Sequence, residues 1–584
     1  MDKASMLGAT SKAHGLGCGP EDGAVYDLVV VGSGAGGMAA AVVAACKGLS
    51  VAVCEKAPVF GGTTALSAGG TWVPCNHLAQ AAGVSDSAQQ ALDYFRSCVG
   101  ERLNEPMARR FIDQAPRMLA YLEEHTLAKF SYAAGRPDYR PQAPGAATQG
   151  RTVHPLPFDG RQLGAQIERL RPPLREMTFL GMMIKPGPEL KHFLNVLRSF
   201  ESARYVTRKV LRHLRDLLVY RRGMDLSNGN ALIARLARSG FDHGIDIFTG
   251  TPVRHLVIDE DRVCGVVVER KGRRLTLKAR RGVVLATGGF SHDPERRKAH
   301  FPHAARSQAH WSPVPSTVEG DGLRLGEEAG GHVQEGQAHA ACWAPVSRVP
   351  QPGGGFTVIP HLIDRQKPGF IAVTRRGYRF VNEANSYHDF GQAMISACSQ
   401  EDQVTVFLIA DHRAIRRYGM GAVKPAPVPI GDHIRSGYLL RARTLEELAT
   451  SAGIDIGAFI RTVSEFNAHA RRGEDPAFGK GGNIYNRYNG DPGHEPNPCL
   501  APIENGPFYA VKLHIGELAT LTGMAIDPDA RVLTAQGDPV AGLYACGNDA
   551  SNVMGGDYLG GGATLGPGMT FGYLAACHAA GQAD

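Results

Sequence analysis

Residues 28–31, Leu-Val-Val-Val, offer no polar side chain to solvent and predict a strand buried on both faces of a parallel sheet. Gly32, Gly34 and Gly37 follow it closely. Residues 38–46, rich in Ala and Val, predict a helix with almost no polar face. A second apolar run at 51–54 predicts a neighbouring strand, and Glu55 stands at its end. Beyond this unit, 86–128 and 187–224 carry apolar residues at helical spacing. Residues 131–175 are rich in Pro and Gly and predict a long ordered loop near a site. At 244–287 Ile and Val alternate with polar residues, predicting strands with a hairpin near Lys271 and Gly272. From 296 to 510 the pattern changes to short strands and loops, with a helix near 444–472. The end of the chain returns to apolar strands and an apolar helix.

This order predicts an α/β protein with a Rossmann-like dinucleotide-binding domain and an inserted α+β substrate (capping) domain. The first part of the binding domain spans 26–295 and carries a helical and loop insertion at about 86–225. The substrate domain spans 296–510, and 511–584 closes the binding domain. The Gly32 to Glu55 spacing is that of a nucleotide-binding βαβ unit. Its glycines let the backbone approach a pyrophosphate at the helix N-terminus, where amide N–H groups and the helix dipole favour an anion. The Glu55 carboxylate can accept hydrogen bonds from ribose hydroxyls.

Composition adds bounds. The chain has 584 residues, 43% hydrophobic and 20% charged, with a net charge of +7 that does not argue for nucleic acid. Its 72 glycines suit a protein that wraps a large cofactor with backbone. Eleven cysteines lie scattered without CxxC pairs. They predict reduced, mostly buried thiols (Cys46, Cys54 and Cys546 among them) in a cytoplasmic enzyme, and no metal site. No apolar run is long enough to span a bilayer. Residues 1–25 have no apolar core, so they predict a loose tail and not a secretory signal.

The segment 55–72 adds Lys56, then a Gly61-Gly62-Thr63-Thr64 turn with Ser67, Gly69 and Gly70 behind it. This segment resembles the FAD-dependent flavoproteins of the fumarate reductase and 3-ketosteroid dehydrogenase superfamily. The run ending Thr287-Gly288-Gly289 resembles their strand returning to the FAD domain. The run ending Gly547-Asn548 resembles their last strand, which reaches the flavin, and Thr251-Pro-Val253 their adenine-side strand. The resemblance implies a non-covalent FAD held by Gly32, Gly34, Ala35, Gly36, Gly37, Glu55, Lys56, Gly62, Thr63, Thr64, Ser67, Gly69, Gly70, Val253, Thr287, Gly288, Gly289, Gly547, Asn548, Thr564 and Leu565.

Dicarboxylate reductases need guanidinium groups to hold their substrate. This chain has no arginine after Ala550, and carries Met554-Gly-Gly-Asp-Tyr558 through Gly562 and Thr564-Leu-Gly-Pro instead. That segment resembles the 3-ketosteroid delta-1-dehydrogenases. The resemblance implies that the Tyr558 hydroxyl and the Gly562 N–H hold a substrate ketone oxygen. Residues 379–390 resemble the family's Phe-Val-Asn-Glu segment and imply that Tyr387 is the base. His388, its neighbour, is expected to face the other way, as adjacent residues on a strand do. The loop at 138–145 implies a second tyrosine, Tyr139, as partner of the base. Together these imply a dehydrogenase that puts a 1,2 double bond into a 3-ketosteroid or similar polycyclic ketone. It would remove a proton and pass a hydride to flavin N5, with a quinone-like or unidentified electron acceptor. The same geometry run backwards would make a reductase of an activated alkene. A non-catalytic flavin-binding redox subunit is the third reading. Residues 204–222 read as a basic amphipathic helix. Such a helix either packs its apolar face on the protein or rests peripherally on an anionic membrane.

Overall fold

The computed structural model describes residues 19–184, 188–307 and 309–582; the expected tail, up to residue 18, lies outside the described residues. The two apolar runs near the start become neighbouring parallel strands, β1 (Ala24–Val31) and β2 (Val51–Glu55), joined by helix α1 (Ala35–Cys46). Strand β3 (Asp246–Thr249) extends the sheet beyond β2. Next come β4 (Val253–Asp259), β5 (Arg262–Arg270) and β6 (Arg273–Leu285). The β5–β6 hairpin turns at Lys271 (φ 50°) and Gly272 (φ 75°), the paired left-handed residues of a two-residue hairpin loop. Strand β6 then runs parallel to β1, with Val283 opposite Val29.

The chain leaves to build a second, antiparallel sheet from β7 (Ala341–Pro350), β8 (Phe356–Pro360), β9 (Phe370–Val373), β10 (Thr405–Asp411), β11 (Leu440–Ala442) and β12 (Phe508–Thr520). Their order is β8-β7-β12-β10-β9, with β11 also on β12. It returns through β13 (Arg531–Leu533) and β14 (Pro539–Ala545), and β14 lies parallel to β6. The parallel core of the first sheet therefore reads β3-β2-β1-β6-β14, with ligand-binding turns expected beyond its carboxyl ends.

The second sheet starts at Ala341 and ends at Thr520, later on both sides than the expected 296–510. The helix Asp321–Glu328 packs on β4 of the first sheet. Strand β12 hides its length in sequence because Gly516 and Glu517 interrupt its apolar pattern. Glu517 is buried and paired with His310, an interaction no local pattern reveals.

Helix α1 has no polar face because it has no solvent face. It packs under the sheet against the last helix of the fold, where a side chain at Gly572 would come within 2.4 Å of the Gly36 carbonyl. The insertion at 86–225 includes α2 (Phe200–Tyr220), the basic helix, and α3 (Tyr387–Ala397) crosses the second sheet against β7. The last helix, α4, spans Leu565–Ala579. On α2 the inward residues are Ser202, Val206, His213 and Asp216, of which only Val206 is apolar. Leu211 (61%), Leu214 (43%) and Leu218 (86%) face outward. Val210 and Leu217 are half-buried beside Val206, so the helix packs part of its apolar surface on the protein and leaves part outside. Among the described residues no helix is long and apolar enough to cross a membrane.

Candidate active site

One cavity of about 1680 Å³ runs from the carboxyl ends of the parallel strands to the second sheet. A single small-ligand site is roughly 300–1,000 Å³, so there is room for a dinucleotide and a second molecule.

At one end the lining is backbone. Gly32 has φ 107°, and a side chain on it would come within 2.2 Å of the Ala286 carbonyl, so only glycine fits between β1 and β6. Gly547 (φ 66°) has open space where a Cβ would project, and the residue belongs to the cavity wall. Glu55 is buried and accepts from the Ser33 N–H (3.2 Å), the Ser33 hydroxyl and the Ala57 N–H (2.8 Å). The Thr64 hydroxyl accepts from the Ala35 N–H at 3.0 Å, which fixes the 62–64 turn over the first turn of α1. Asp549 ties the β6 end to the β14 end. Its carboxylate accepts from the Gly289 N–H (2.8 Å) and the Thr287 hydroxyl (3.0 Å), and burial pushes its pKa up to about 6. Of the residues expected around a dinucleotide, all line the cavity except Gly289. Gly289 lies behind the wall: a side chain there would strike the Thr520 hydroxyl at 1.9 Å.

At the other end the lining is phenolic. Tyr139, Tyr387 and Tyr558 meet with ring centroids 5.5 to 5.8 Å apart. Tyr485, not singled out in the sequence, packs 4.8 Å from Tyr139. All four line the cavity, as does Gly562. The Tyr139 and Tyr387 hydroxyls stand 3.5 Å apart, the outer limit of a hydrogen bond. Burial pushes the Tyr387 phenol well above its ordinary range, and its two tyrosine neighbours push it further. Tyr558 is raised chiefly by burial, then by Cys342 and Tyr139; Tyr387 and Thr564 hydroxyls offset part of this.

Tyr387 sits in the first turn of α3, not on a strand. Ser386 caps this helix by accepting from the Asp389 N–H at 3.1 Å. His388 does turn from the cavity, but because a helix carries it round. It accepts from the Trp343 N–H at 3.2 Å, and burial, His339 and Arg140 hold it neutral.

The phenols are not without a guanidinium. Arg136, three residues before Tyr139, lines the same cavity and donates to the Tyr139 hydroxyl (3.4 Å) and to His154 (3.1 Å). Among the described residues no carboxylate pairs with it. Burial, then Arg136, lowers the His154 pKa to about 3, so Arg136 keeps its charge beside a neutral ring. The expectation that phenols replace guanidinium groups here is corrected. It looked only at the C-terminal segment, and the cation comes from another loop. Among the described residues no cluster of His, Cys, Asp and Glu could hold a metal ion.

The FAD binding domain family matches residues 27–565. A 3-oxosteroid 1-dehydrogenase of Mycobacterium tuberculosis (strain ATCC 25618 / H37Rv) is 36% identical over 96% of this chain and 99% of its own. The chain belongs to this FAD-dependent family. A 4-oxocyclohex-2-ene-1-carboxylate 5-dehydrogenase of Sinomonas cyclohexanicum is 41% identical over 94% of this chain and 92% of its own. The crystal structure of 3-ketosteroid delta1-dehydrogenase from Sterolibacterium denitrificans, in complex with 1,4-androstadiene-3,17-dione, superimposes with a TM-score of 0.87. It is 35% identical, over 96% of this chain and all of that one. The fold is that of the FAD-containing flavoproteins, and FAD is the cofactor of the family member described here. The backbone-lined end of the cavity fits it: glycines where side chains would block the approach, and a buried carboxylate at the end of β2.

Proposed function

We propose that the protein is an FAD-dependent dehydrogenase that introduces a 1,2 double bond into a 3-ketosteroid or similar polycyclic ketone. The observation that carries this is the meeting of Tyr139, Tyr387 and Tyr558 in the cavity that also holds the dinucleotide cradle. The Tyr558 hydroxyl and the Gly562 N–H serve as donors to the ketone oxygen, where negative charge grows as the adjacent carbon loses its proton. Tyr387 takes that proton. Burial and the neighbouring tyrosines oppose its phenolate, so the Arg136 charge behind Tyr139 has to favour the ionised form. FAD, when bound, supplies the hydride acceptor. The FAD-holding residues are those of the cavity wall from Gly32 to Gly70, with Val253, Thr287, Gly288, Gly547, Asn548, Thr564 and Leu565. Gly289 acts one layer behind, through Asp549. The distal wall, with Met177, Phe179, Leu180, Met183 and Val206, supplies apolar surface for rings beyond the reacting one. Mixing the holoprotein anaerobically with 3-ketosteroids should bleach the flavin band. A flavin unaffected by every ketone, yet reoxidised from its reduced form by an enone, would reverse the direction.

A single-ring keto acid is the competing substrate, favoured by the 41% relative and by Arg136, a cavity cation without a carboxylate. Relative kcat/KM for a 3-ketosteroid and for 4-oxocyclohexanecarboxylate decides between the two.

We also infer that α2 rests on an anionic membrane surface. Arg204, Arg208, Arg212 and Arg215 are exposed beside Leu211, Leu214 and Leu218, while Val206 and Val210 of the same helix line the cavity. An apolar substrate would thus enter from the lipid side. Co-sedimentation with anionic but not neutral vesicles is expected, and Leu218→Glu should abolish it.

A further inference from the structure

Each of the three phenols has a charged residue beside it in sequence. Arg140 follows Tyr139, Asp557 precedes Tyr558, and Asp389 stands two residues after Tyr387. The three charges meet behind the phenols. The Arg140 guanidinium donates to both Asp557 oxygens (2.5 and 2.8 Å) and approaches Asp389 at 3.6 Å. Asp557 also accepts from the Tyr558 N–H at 2.8 Å. The Tyr139 N–H donates to the Leu559 carbonyl at 3.0 Å. The Tyr94 hydroxyl donates to that carbonyl at 2.8 Å and accepts from the Arg140 N–H at 3.1 Å.

We propose that Arg140 is a positioning residue, which sets the mutual distance of Tyr139, Tyr387 and Tyr558 by clamping the carboxylates next to the latter two. This rests on the reading of Tyr387 as base and Tyr558 as ketone donor. Arg140 does not line the cavity, so it touches neither substrate nor cofactor. Its side chain is 33% exposed, that of Asp389 26% and that of Asp557 10%, so the cluster lies at the edge of the interior. What the cluster does hold is register. The loop at 138–140, helix α3 and the segment 557–559 come from distant parts of the chain and share no strand pairing. The bidentate Arg140–Asp557 pair fixes orientation as well as distance.

The test compares purified holoenzyme variants by flavin content, thermal midpoint, kcat, KM and pH profile. Arg140→Gln should keep its flavin and its KM while kcat falls tenfold or more, since a misplacement of about 1 Å costs on the order of a hundredfold. The acid limb of its kcat profile should shift, because the Tyr139–Tyr387 contact that perturbs the Tyr387 phenol loosens; a merely structural role leaves the limb in place. Arg140→Lys should recover only part of the rate, since an ammonium cannot pair twice with Asp557 and still reach Asp389. Asp389→Asn should lose less, and combining it with Arg140→Gln should add nothing. If Arg140→Gln fails to fold, the lysine and asparagine variants carry the same test through kcat and the pH limb. Full kcat with bound flavin in Arg140→Gln would overturn the proposal, and so would losses that multiply. Tyr387→Phe in the same assay separates the failures. If it is active, the base reading falls; if it is inactive while Arg140→Gln is unaffected, only the clamp falls.

Discussion

The two ends of the cavity are built by opposite means. The dinucleotide end comes largely from one stretch, 32–70, and acts through backbone: its glycines matter for what they lack. The phenol end comes from four segments, around Tyr139, Tyr387, Tyr485 and Tyr558, with Tyr139 and Tyr387 248 positions apart, and it presents side chains. A cofactor's phosphates and rings need close approach along a continuous path, which one βαβ unit provides. A reacting carbon needs a base and oxygen donors on different sides, which no single segment can supply.

If the ends divide their labour in this way, substitutions at each should fail differently. The largest effect is expected from Tyr387→Phe. Losing a general base typically costs 10²–10⁴-fold, so turnover should fall by about that factor while the protein stays yellow. Stopped-flow reduction of the flavin by a ketosteroid measures it, and a normal rate would break the division. Tyr558→Phe should follow, at about 3 kcal/mol for a lost oxyanion donor, read as kcat/KM with flavin content unchanged. At the other end, Gly32→Ala meets both a left-handed backbone and the Ala286 carbonyl. Strain of about 1–3 kcal/mol is expected there, and it should appear as lost flavin and a lower thermal midpoint. A Gly32→Ala protein with full flavin would show that the cradle tolerates side chains after all.

The same contrast governed what the sequence made legible. The cradle could be read because strand, turn, helix and acidic residue follow in order, and because a missing side chain leaves a plain mark, glycine. Gly289 shows the limit of that mark: it lies one layer behind the wall, and its N–H serves Asp549. The family segments drew attention to Tyr139, Tyr387 and Tyr558, but not to the groups that tune and hold them. Arg136 lies in a Pro- and Gly-rich loop where a single arginine carries no pattern. Arg140 and Asp557 sit beside quoted tyrosines, yet their pairing spans 417 residues. The far end of the second sheet was hard to read because buried charge in β12, Glu517 with His310, breaks the alternation that marks strands. On α2 the inward residues His213 and Asp216, which bond to Leu180 and Arg161, are not marked by the apolar spacing, and Leu211, Leu214 and Leu218 are left outside.

The finest test of the division concerns charge at the phenol end. Burial and its tyrosine neighbours raise the Tyr387 pKa, and if Tyr387 is the proposed base the protonated phenol is the inactive form. The base form therefore grows with pH, so kcat/KM should rise about tenfold per pH unit on the acid limb and level off above the kinetic pKa. On the same proposal Arg136, the cation that donates to the Tyr139 hydroxyl, would lower that limb by attracting negative charge at the phenol end. Arg136→Gln removes the charge and keeps hydrogen-bonding capacity. Its limb should move to higher pH by about one unit, the differential of roughly 1.4 kcal/mol typical of one nearby charge, while the plateau rate and the flavin spectrum hold. The measurement is kcat/KM for one uncharged ketosteroid across the accessible pH range. A limb that stays in place would assign Arg136 to substrate binding instead, and would leave the phenols to ionise through their own contacts. Then only a keto acid, and no uncharged steroid, should lose affinity in the variant.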